Sequence, residues 1–250
     1  MSEECLSILY QDDHYVSVDK PSGLLVHRSL IDKTETRFCI QILRDQLGRR
    51  VYPCHRLDKP TSGVLLFALS KEALKEANQL FVAHLVRKTY QAILRGWTSE
   101  SGRIDHPLRH APEGGQQRGQ GEPQQAITDY RRLQRYEVNL PAGGFPTARY
   151  SLAELRPRTG RMHQLRRHMK HINHHIIGDT RYGDGVHNRL FREHFHSHRL
   201  LLNASRLEFQ HPFTGAMVDV QSRFTREFAI RLPIVPDSLQ SPHAEPGNPD

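Results

Sequence analysis

The most chemically suggestive segment of the chain is residues 55–63, which read HRLDKPTSG. It places Asp58 between two cationic side chains, Arg56 and Lys59, and it ends in residues that are typical of a turn. Neighbouring cations favour the ionised form of a carboxyl group. An ionised carboxylate on a loop can act as a nucleophile or as a base at a sugar carbon. From this spacing alone, a surface turn with a local salt bridge is the alternative interpretation.

Histidine is the second suggestive feature, because the chain has 17 histidines, as many as glycines. Residues 161–200 contain nine of them, together with eight Lys or Arg side chains and three acidic ones. The alternating His194, His196 and His198 would chelate a metal if they lay on one strand. However, no cysteine accompanies them and no His-Glu-x-x-His signature is present. We therefore expect no metal, which disfavours a metal-storage or metal-sensing protein, and we assign most of the histidines to a surface that binds a polyanion.

The charge distribution also favours a polyanionic partner. The formal net charge is +8, although residues 1–20 carry five acidic side chains and one lysine. Residues 236–250 carry three acidic side chains and no Lys or Arg. The positive charge is therefore concentrated between these ends, where it can hold phosphates by displacing counterions. A solvated charged face without a partner is the alternative.

Composition excludes several classes of protein. Large apolar residues are abundant enough to form a core, so disorder of the whole chain is excluded. No apolar run approaches the roughly 18 residues that a membrane helix needs. Three cysteines without Cys-x-x-Cys spacing favour reduced thiols and a cytoplasmic location. The sequence also lacks a glycine-rich phosphate loop of the Walker or dinucleotide type.

The elements that position these residues follow from periodicity and turn signals. Strands are predicted at 6–10, 15–18, 24–26, 51–57, 64–69, 88–94, 126–138, 147–156, 200–209 and 216–220. Helices are predicted after Thr36 and Ser70 as N-caps, and over 162–172 and 223–232. Residues 1–235 are expected to form one domain with a mobile loop at 109–125, and 236–250 a disordered tail. Helices interspersed among hairpins predict an α+β fold with a largely antiparallel sheet.

Four motifs in a fixed order resemble pseudouridine synthases of the RluA group, over nearly all of residues 5–232. Besides HRLDKPTSG they are DKPSGLLVH at 19–27, RKTYQAILRG at 87–96, and TGRMHQLRRH at 159–168, which IIGDTRYG follows at 176–183. Together the four are much more specific than any one of them. The resemblance implies the catalytic fold of that group, a mixed and mainly antiparallel sheet flanked by helices and loops.

The resemblance also implies the catalytic residues. Asp58 matches the catalytic aspartate, Arg166 the arginine that pairs with it, and Tyr90 the aromatic residue that stacks on the target base. An arginine beside the aspartate is physically reasonable, because it keeps a carboxylate charged in a partly closed pocket. Without the motifs, Tyr90 would be interpreted as a core aromatic residue and Arg166 as a surface arginine.

Three further residues are implied to contact RNA. Leu165 matches an aliphatic contact beside the target base, although a leucine on a helix is more often part of the core. Arg56 matches the residue that enters the RNA helix where the base leaves. His55 is expected on the RNA side as well.

The implied reaction converts uridine to pseudouridine, with an N-glycosidic bond broken and carbon 5 joined to the same sugar. The stretches HRSLID, FPTARYSLAEL and HRLLLNASRLEF most resemble the tRNA pseudouridine synthase C type, which modifies a uridine at position 65, in the T stem of tRNA. An enzyme of the same group acting on ribosomal RNA, or a non-catalytic RNA-binding protein, are the alternatives. The reaction implies no cofactor, and we expect neither a membrane nor an obligatory protein partner.

Overall fold

A computed structural model describes residues 5–27, 36–109, 121–222 and 233–235 of the chain. Its four helices are α1 (Cys39–Leu47), α2 (Lys71–Val82), α3 (Gln164–His171) and α4 (Gly185–Phe195). Its strands are β1 (Ser7–Gln11), β2 (Tyr15–Lys20), β3 (Tyr52–Pro53), β4 (Ser62–Ala68), β5 (Arg87–Arg95), β6 (Ser101–Asp105), β7 (Ile127–Val138), β8 (Ala148–Pro157), β9 (Leu202–Gln210), β10 (Met217–Gln221) and β11 (Ile234–Val235).

The strands form one sheet in the order β1-β2-β4-β9-β5-β8-β7-β11. Three short strands lie off this path, with β3 on β4, β6 on β7 and β10 on β9. Among the described pairs, β4 with β9 is parallel and the others are antiparallel. The predicted α+β fold with a mainly antiparallel sheet is therefore confirmed. None of the helices in the described ranges has the length and apolar character needed to span a bilayer.

The core lies on both faces of the sheet, because successive side chains of a strand point to opposite sides. In β4, Leu65 and Phe67 pack with α1, whereas Val64, Leu66 and Ala68 pack with α2. In the same way β5 is covered by α3 on one face and by α4 on the other. This explains why the middle strands are buried on both sides rather than alternating in burial.

Gly63 permits the close approach of β4 to β9. Its φ is +110°, and a Cβ atom at this position would lie 2.2 Å from the carbonyl oxygen of Ala204. Any other residue would force the two strands apart or strain the backbone. The last residue of the HRLDKPTSG segment is therefore required by the parallel pairing of β4 with β9, which begins at Ser62.

Several predicted elements are confirmed, including the strands that form the β1–β2 and β9–β10 pairs and the long strands β7 and β8. The helix after Ser70 is also confirmed, since the Ser70 hydroxyl accepts a hydrogen bond from the amide of Ala73 at 3.0 Å. The apolar face of this helix, made by Leu74, Ala77 and Phe81, packs against the sheet.

Other predicted boundaries are wrong. Thr36 is not a helix cap, because α1 begins at Cys39 and its first amides donate to backbone carbonyls of Leu25 and Val26 at 2.8 and 3.1 Å. The strand predicted at 24–26 is reduced to a single bridge between Leu25 and Phe38. The strand predicted at 51–57 ends at Pro53.

Three elements of the described ranges were not predicted from the sequence: β6, α4 and the short strand β11. The predicted helix at 223–232 and tail at 236–250 lie outside the described residues, as does 110–120 within the predicted loop.

Candidate active site

A cavity of about 850 Å³ lies between the segment before β4, the end of α2, β5 and the start of α3. The six residues predicted for the site all line it: His55, Arg56, Asp58, Tyr90, Leu165 and Arg166. The fold thus brings together side chains from three motifs. Asp58 and Arg166, which meet in the cavity, are 108 positions apart in the sequence. Their catalytic and RNA-binding roles stay predictions.

Asp58 and Arg166 form an ion pair inside this cavity. Nη1 of Arg166 donates to Oδ2 of Asp58 at 3.2 Å. The Asp58 side chain is 24% exposed, whereas that of Arg166 is 6% exposed. The amide of Thr61 donates to the Asp58 carbonyl at 3.0 Å and closes the turn that presents this carboxylate. The buried guanidinium of Arg166 thus holds one oxygen of Asp58, and the exposed part of the Asp58 carboxylate faces the cavity.

Arg166 is itself fixed by Asp179, which follows α3 in the chain. Nε and Nη2 of Arg166 donate to the two carboxylate oxygens of Asp179 at 2.7 and 2.8 Å. The amides of Arg181 and Tyr182 each donate to Oδ1 at 2.9 Å. Burial alone would raise the pKa of Asp179, but these hydrogen bonds and the charge of Arg166 outweigh it, so that the pKa is lowered. A buried carboxylate therefore orients the arginine that binds Asp58.

Tyr90 and Leu165 form apolar walls of the cavity. Tyr90 follows a bulge in the pairing of β5 with β9, an irregularity that can redirect a side chain. Burial raises the pKa of Tyr90, and the negative charge of Asp58 raises it further, so the hydroxyl stays protonated. Leu165 is buried on α3 and packs with Met169 and Leu202. An aromatic ring and an aliphatic side chain in one cavity suit the binding of a flat base.

His55 lines the cavity as a neutral ring. Its Nε2 accepts a hydrogen bond from the amide of Leu66 at 3.1 Å. The imidazole thus replaces a backbone acceptor for this amide of β4, since β3 ends at Pro53. Burial lowers the pKa of His55 to about 3, so the ring carries no charge near neutral pH. Arg56, the next residue, is exposed and also lines the cavity.

Lys20, in the first motif, supports the Asp58 loop and was not singled out from the sequence. Its fully buried Nζ donates to the carbonyls of Pro21, Leu24 and Lys59 at 2.9, 2.7 and 3.1 Å. An ammonium group has three N–H donors, and all three are used here. Burial lowers the pKa of Lys20 to about 8. Lys20 therefore ties the first motif to the residue that follows Asp58.

The assignment of most histidines to a binding surface is wrong for the buried ones. His168 is fully buried, with Nδ1 2.9 Å from the Thr128 hydroxyl and Nε2 3.0 Å from the carbonyl of His106. His187 is buried against the Tyr150 hydroxyl, with Nδ1 3.0 Å from it. Because imidazole can donate at one nitrogen and accept at the other, such residues satisfy polar groups of the core.

The metal interpretation finds no geometric support in the described ranges. No group of three or more His, Cys, Asp or Glu side chains there is placed to hold an ion. The strand arrangement considered for His194, His196 and His198 is wrong, because His194 lies in α4 and His196 is the C-cap of that helix.

The family of the chain follows from comparison with known proteins. The sequence model of the RNA pseudouridylate synthase family matches residues 14–171, which is more than half of the chain. The chain belongs to this family and is an RNA pseudouridine synthase, an isomerase.

Individual proteins that the chain resembles also carry names of this family. The chain is 54% identical over 215 residues to tRNA pseudouridine synthase C of Vibrio parahaemolyticus, covering 84% of this chain and 87% of that protein. It is 53% identical over 214 residues to tRNA pseudouridine synthase C of Vibrio cholerae, with the same coverage of 84% and 87%. Among solved structures, human RNA pseudouridylate synthase domain containing 1 is 27% identical, covers 94% of this chain and 91% of its own, and has a TM-score of 0.72.

Proposed function

We propose that the protein converts a uridine of tRNA, at position 65 in the T stem, to pseudouridine, with Asp58 as the catalytic carboxylate. The observation that carries the proposal is the Asp58–Arg166 ion pair inside a cavity that also holds Tyr90 and Leu165. The tRNA substrate rests on the names of the relatives that share about half of their residues with this chain. A tRNA-modifying enzyme of this kind would work in the cytoplasm.

The cavity is suited to a base that has left its stem. An enzyme that reacts at a base inside an RNA helix must flip it out, which costs a few kcal/mol. Tyr90 would hold the flipped ring by stacking, with Leu165 beside it. Arg56, exposed at the wall of the cavity, would occupy the gap that the base leaves. His55 would then contribute as a neutral part of the wall that meets RNA.

Asp58 would act at the sugar of the flipped nucleotide. The carboxylate either attacks the sugar or removes a sugar proton to give a glycal, and both routes need an ionised carboxylate next to C1′ and C2′. Arg166 supports either route, because its charge stabilises the carboxylate without blocking the oxygen that faces the cavity. Reactant and product have the same atoms, so the reaction requires no redox cofactor.

The experiment that tests this function is tritium release from transcripts labelled at carbon 5 of uridine. We expect release from tRNA and little from ribosomal RNA. Asp58→Asn should reduce the rate by at least about 10²- to 10⁴-fold, because the acting carboxylate is lost. The matched control is Asp219→Asn, which removes a carboxylate on the exposed pair β9–β10 and should retain activity.

Three outcomes would contradict parts of the proposal. Activity that survives Asp58→Asn would remove Asp58 as the catalytic group. Release only from ribosomal RNA would overturn the tRNA substrate while leaving the reaction intact. A tRNA that loses position 65 but reacts as before would show that another uridine is the target.

A further inference from the structure

The side chain of Lys88 lines the cavity without an interaction partner among the described residues. Lys88 lies on β5, two positions before Tyr90, so the two side chains point to the same face of the sheet. It is half-buried, and no hydrogen bond or ion pair joins its ammonium group to a described part of the chain. Burial lowers the pKa of Lys88, because the ammonium group loses water. The free enzyme thus carries a poorly solvated cation in its cavity.

By contrast, three other cations of this region are bound by the protein itself. Arg166 is held by two carboxylates, and Nζ of Lys20 donates to three backbone carbonyls. Nε of Arg161 donates to the carbonyl of Gln125 at 3.0 Å. Lysine is seldom buried unless it is paired, because an ammonium group that loses water without gaining a partner costs free energy. Lys88 therefore suits an anion that the described protein groups do not supply.

The charge of the cavity also selects for an anionic ligand. Its described lining residues include four Arg or Lys side chains and one carboxylate, that of Asp58. Arg166 binds this carboxylate, which therefore does not serve as the partner of Lys88. RNA carries a phosphate at every nucleotide, and lysine binds phosphate as a point charge.

The position of Lys88 beside Tyr90 indicates which phosphate it meets. In the proposed function, the flipped base stacks on Tyr90 and the sugar lies at Asp58. Base, sugar and phosphate are consecutive parts of one nucleotide, so a phosphate that flanks the flipped uridine must follow it to the cavity. Lys88 lies near the start of β5, next to the end of α2, where Phe81 and His84 also line the cavity.

We propose that Lys88 binds a backbone phosphate that flanks the flipped uridine. This inference rests on the proposed function, because the uridine must leave its stem before its phosphate can reach the cavity. The ammonium group donates to a non-bridging phosphate oxygen, and no covalent bond forms or breaks. With the base on Tyr90 and the phosphate on Lys88, the sugar between them is held at the carboxylate of Asp58.

Lys88→Met tests this contact with a T-arm stem-loop RNA as the ligand. The Kd should rise by about 10-fold, since a charge-assisted hydrogen bond is lost. The slope of log Kd against log salt concentration should fall by about 1, because one phosphate is no longer neutralised. Stability provides a separate signature. The urea midpoint of the free variant should equal or exceed that of the wild type, because methionine removes a half-buried cation without a partner.

Two matched variants define the role of the charge. Lys88→Arg keeps a cation at the same position and should keep the salt slope of the wild type. Lys71→Met removes an exposed lysine at the start of α2, at the opposite end of this helix from the cavity. It should leave the Kd, the salt slope and tritium release unchanged.

A neutral methylphosphonate linkage identifies the phosphate. Stem-loops with one such linkage, on the 5′ or the 3′ side of the target uridine, are compared with the unmodified RNA. One of the two should weaken binding to the wild type by about 10-fold. The same linkage should have little effect on binding to Lys88→Met, because the two changes remove the same contact and are not additive.

Each other result overturns the assignment. An unchanged Kd of Lys88→Met would show that Lys88 does not contact RNA. A lower urea midpoint with an unchanged salt slope would make Lys88 a structural residue of β5. Weaker binding with an unchanged salt slope, and with the methylphosphonate effect retained, would assign Lys88 to an uncharged group such as a base carbonyl. An equal loss of slope in Lys71→Met would show a general effect of charge. If Lys88→Met does not fold, the same measurements on Lys88→Gln decide.

The failure of the proposed function is seen in a different measurement. Wild-type enzyme that releases no tritium from any tRNA would overturn the function. Active wild-type enzyme, with Lys88→Met unaffected in Kd and salt slope, would overturn only the phosphate contact.

Discussion

Two arginine–aspartate pairs of this molecule have nearly the same geometry and different surroundings. Arg166 donates to both oxygens of Asp179 at 2.7 and 2.8 Å, and Arg206 donates to both oxygens of Asp219 at 2.7 and 2.7 Å. The first pair is 6% and 1% exposed, whereas the second is 41% and 35% exposed. The hydrogen-bond geometry is therefore the same in the pair beside Asp58 and in the pair on the surface. The two pairs differ in their burial instead.

Burial of the Arg166–Asp179 pair has one consequence for stability and another for the orientation of Arg166 toward Asp58. A buried pair is costly to break, because the remaining charge is left without water or partner. The Arg166–Asp179 pair also leaves one N–H of Arg166 directed at Asp58. On the exposed pair, solvent screens the charges, and Arg206 is shared with Glu208 at 3.2 Å. We expect the first pair to control activity and stability together and the second to control neither strongly.

Among the substitutions that test this comparison, Asp179→Asn is expected to lower the free energy of unfolding the most. Arg166 would keep its charge in a buried place and lose its bidentate partner, so the free energy of unfolding should fall by about 3–5 kcal/mol. Arg166 would also be less well oriented toward Asp58, and a misplaced catalytic group costs about 100-fold in rate. Urea unfolding and tritium release measure the two effects. Unchanged activity in a folded variant would contradict the role of Asp179.

The pH dependence of stability gives a second test of the Arg166–Asp179 pair. The folded pKa of Asp179 is lowered relative to the unfolded value of about 3.9, so its ionised form stabilises the fold above that pH. This contribution is lost as the pH falls through the folded pKa. The stability difference between wild type and Asp179→Asn should therefore be full near pH 7 and narrow below about pH 4. A difference that widens in acid would contradict the ion pair.

Lys20→Met tests whether a buried cation without a bidentate carboxylate partner behaves in the same way. Methionine fills a similar volume but leaves the carbonyls of Pro21, Leu24 and Lys59 without their donor. Buried unsatisfied carbonyls should lower the free energy of unfolding by about 2 kcal/mol. Because Lys59 follows Asp58, activity should fall as well, though less than in Asp179→Asn. A variant as stable as wild type would show that the carbonyls find other partners.

The residues that line the site were predictable because they lie in motifs. Asp58, Tyr90 and Arg166 each belong to a stretch with a recognisable order, and the fold brings these stretches to one cavity. Asp179 and Lys20 also lie in such stretches, but their roles depend on which groups the folded chain places opposite them. Asp179 meets Arg166 only because the chain turns back after α3, with the amides of Arg181 and Tyr182 closing that turn.

The fold was predictable where local signals and tertiary structure agree. The strands β7 and β8 flank a connection that contains glycine and proline, and α2 has a serine cap. In α1 the first amides are satisfied by carbonyls from another part of the chain, so no side chain marks the start. α4 was missed because histidine and arginine dilute its apolar face, although Asp184 caps it by accepting the amide of Val186 at 2.9 Å.

The smallest effect is expected from Arg206→Ala on the exposed pair. The guanidinium bridges β9 and β10 and contacts Asp219 and Glu208, yet its charge lies where water and salt screen it. The free energy of unfolding should therefore fall by less than about 1 kcal/mol, and the small difference should shrink as salt is added. Tritium release should be unchanged, since the ion-pair partners of Arg206 are Asp219 and Glu208, which do not line the cavity. A loss of stability as large as that of Asp179→Asn would show that bidentate geometry matters more than burial in this sheet, and would reverse the comparison.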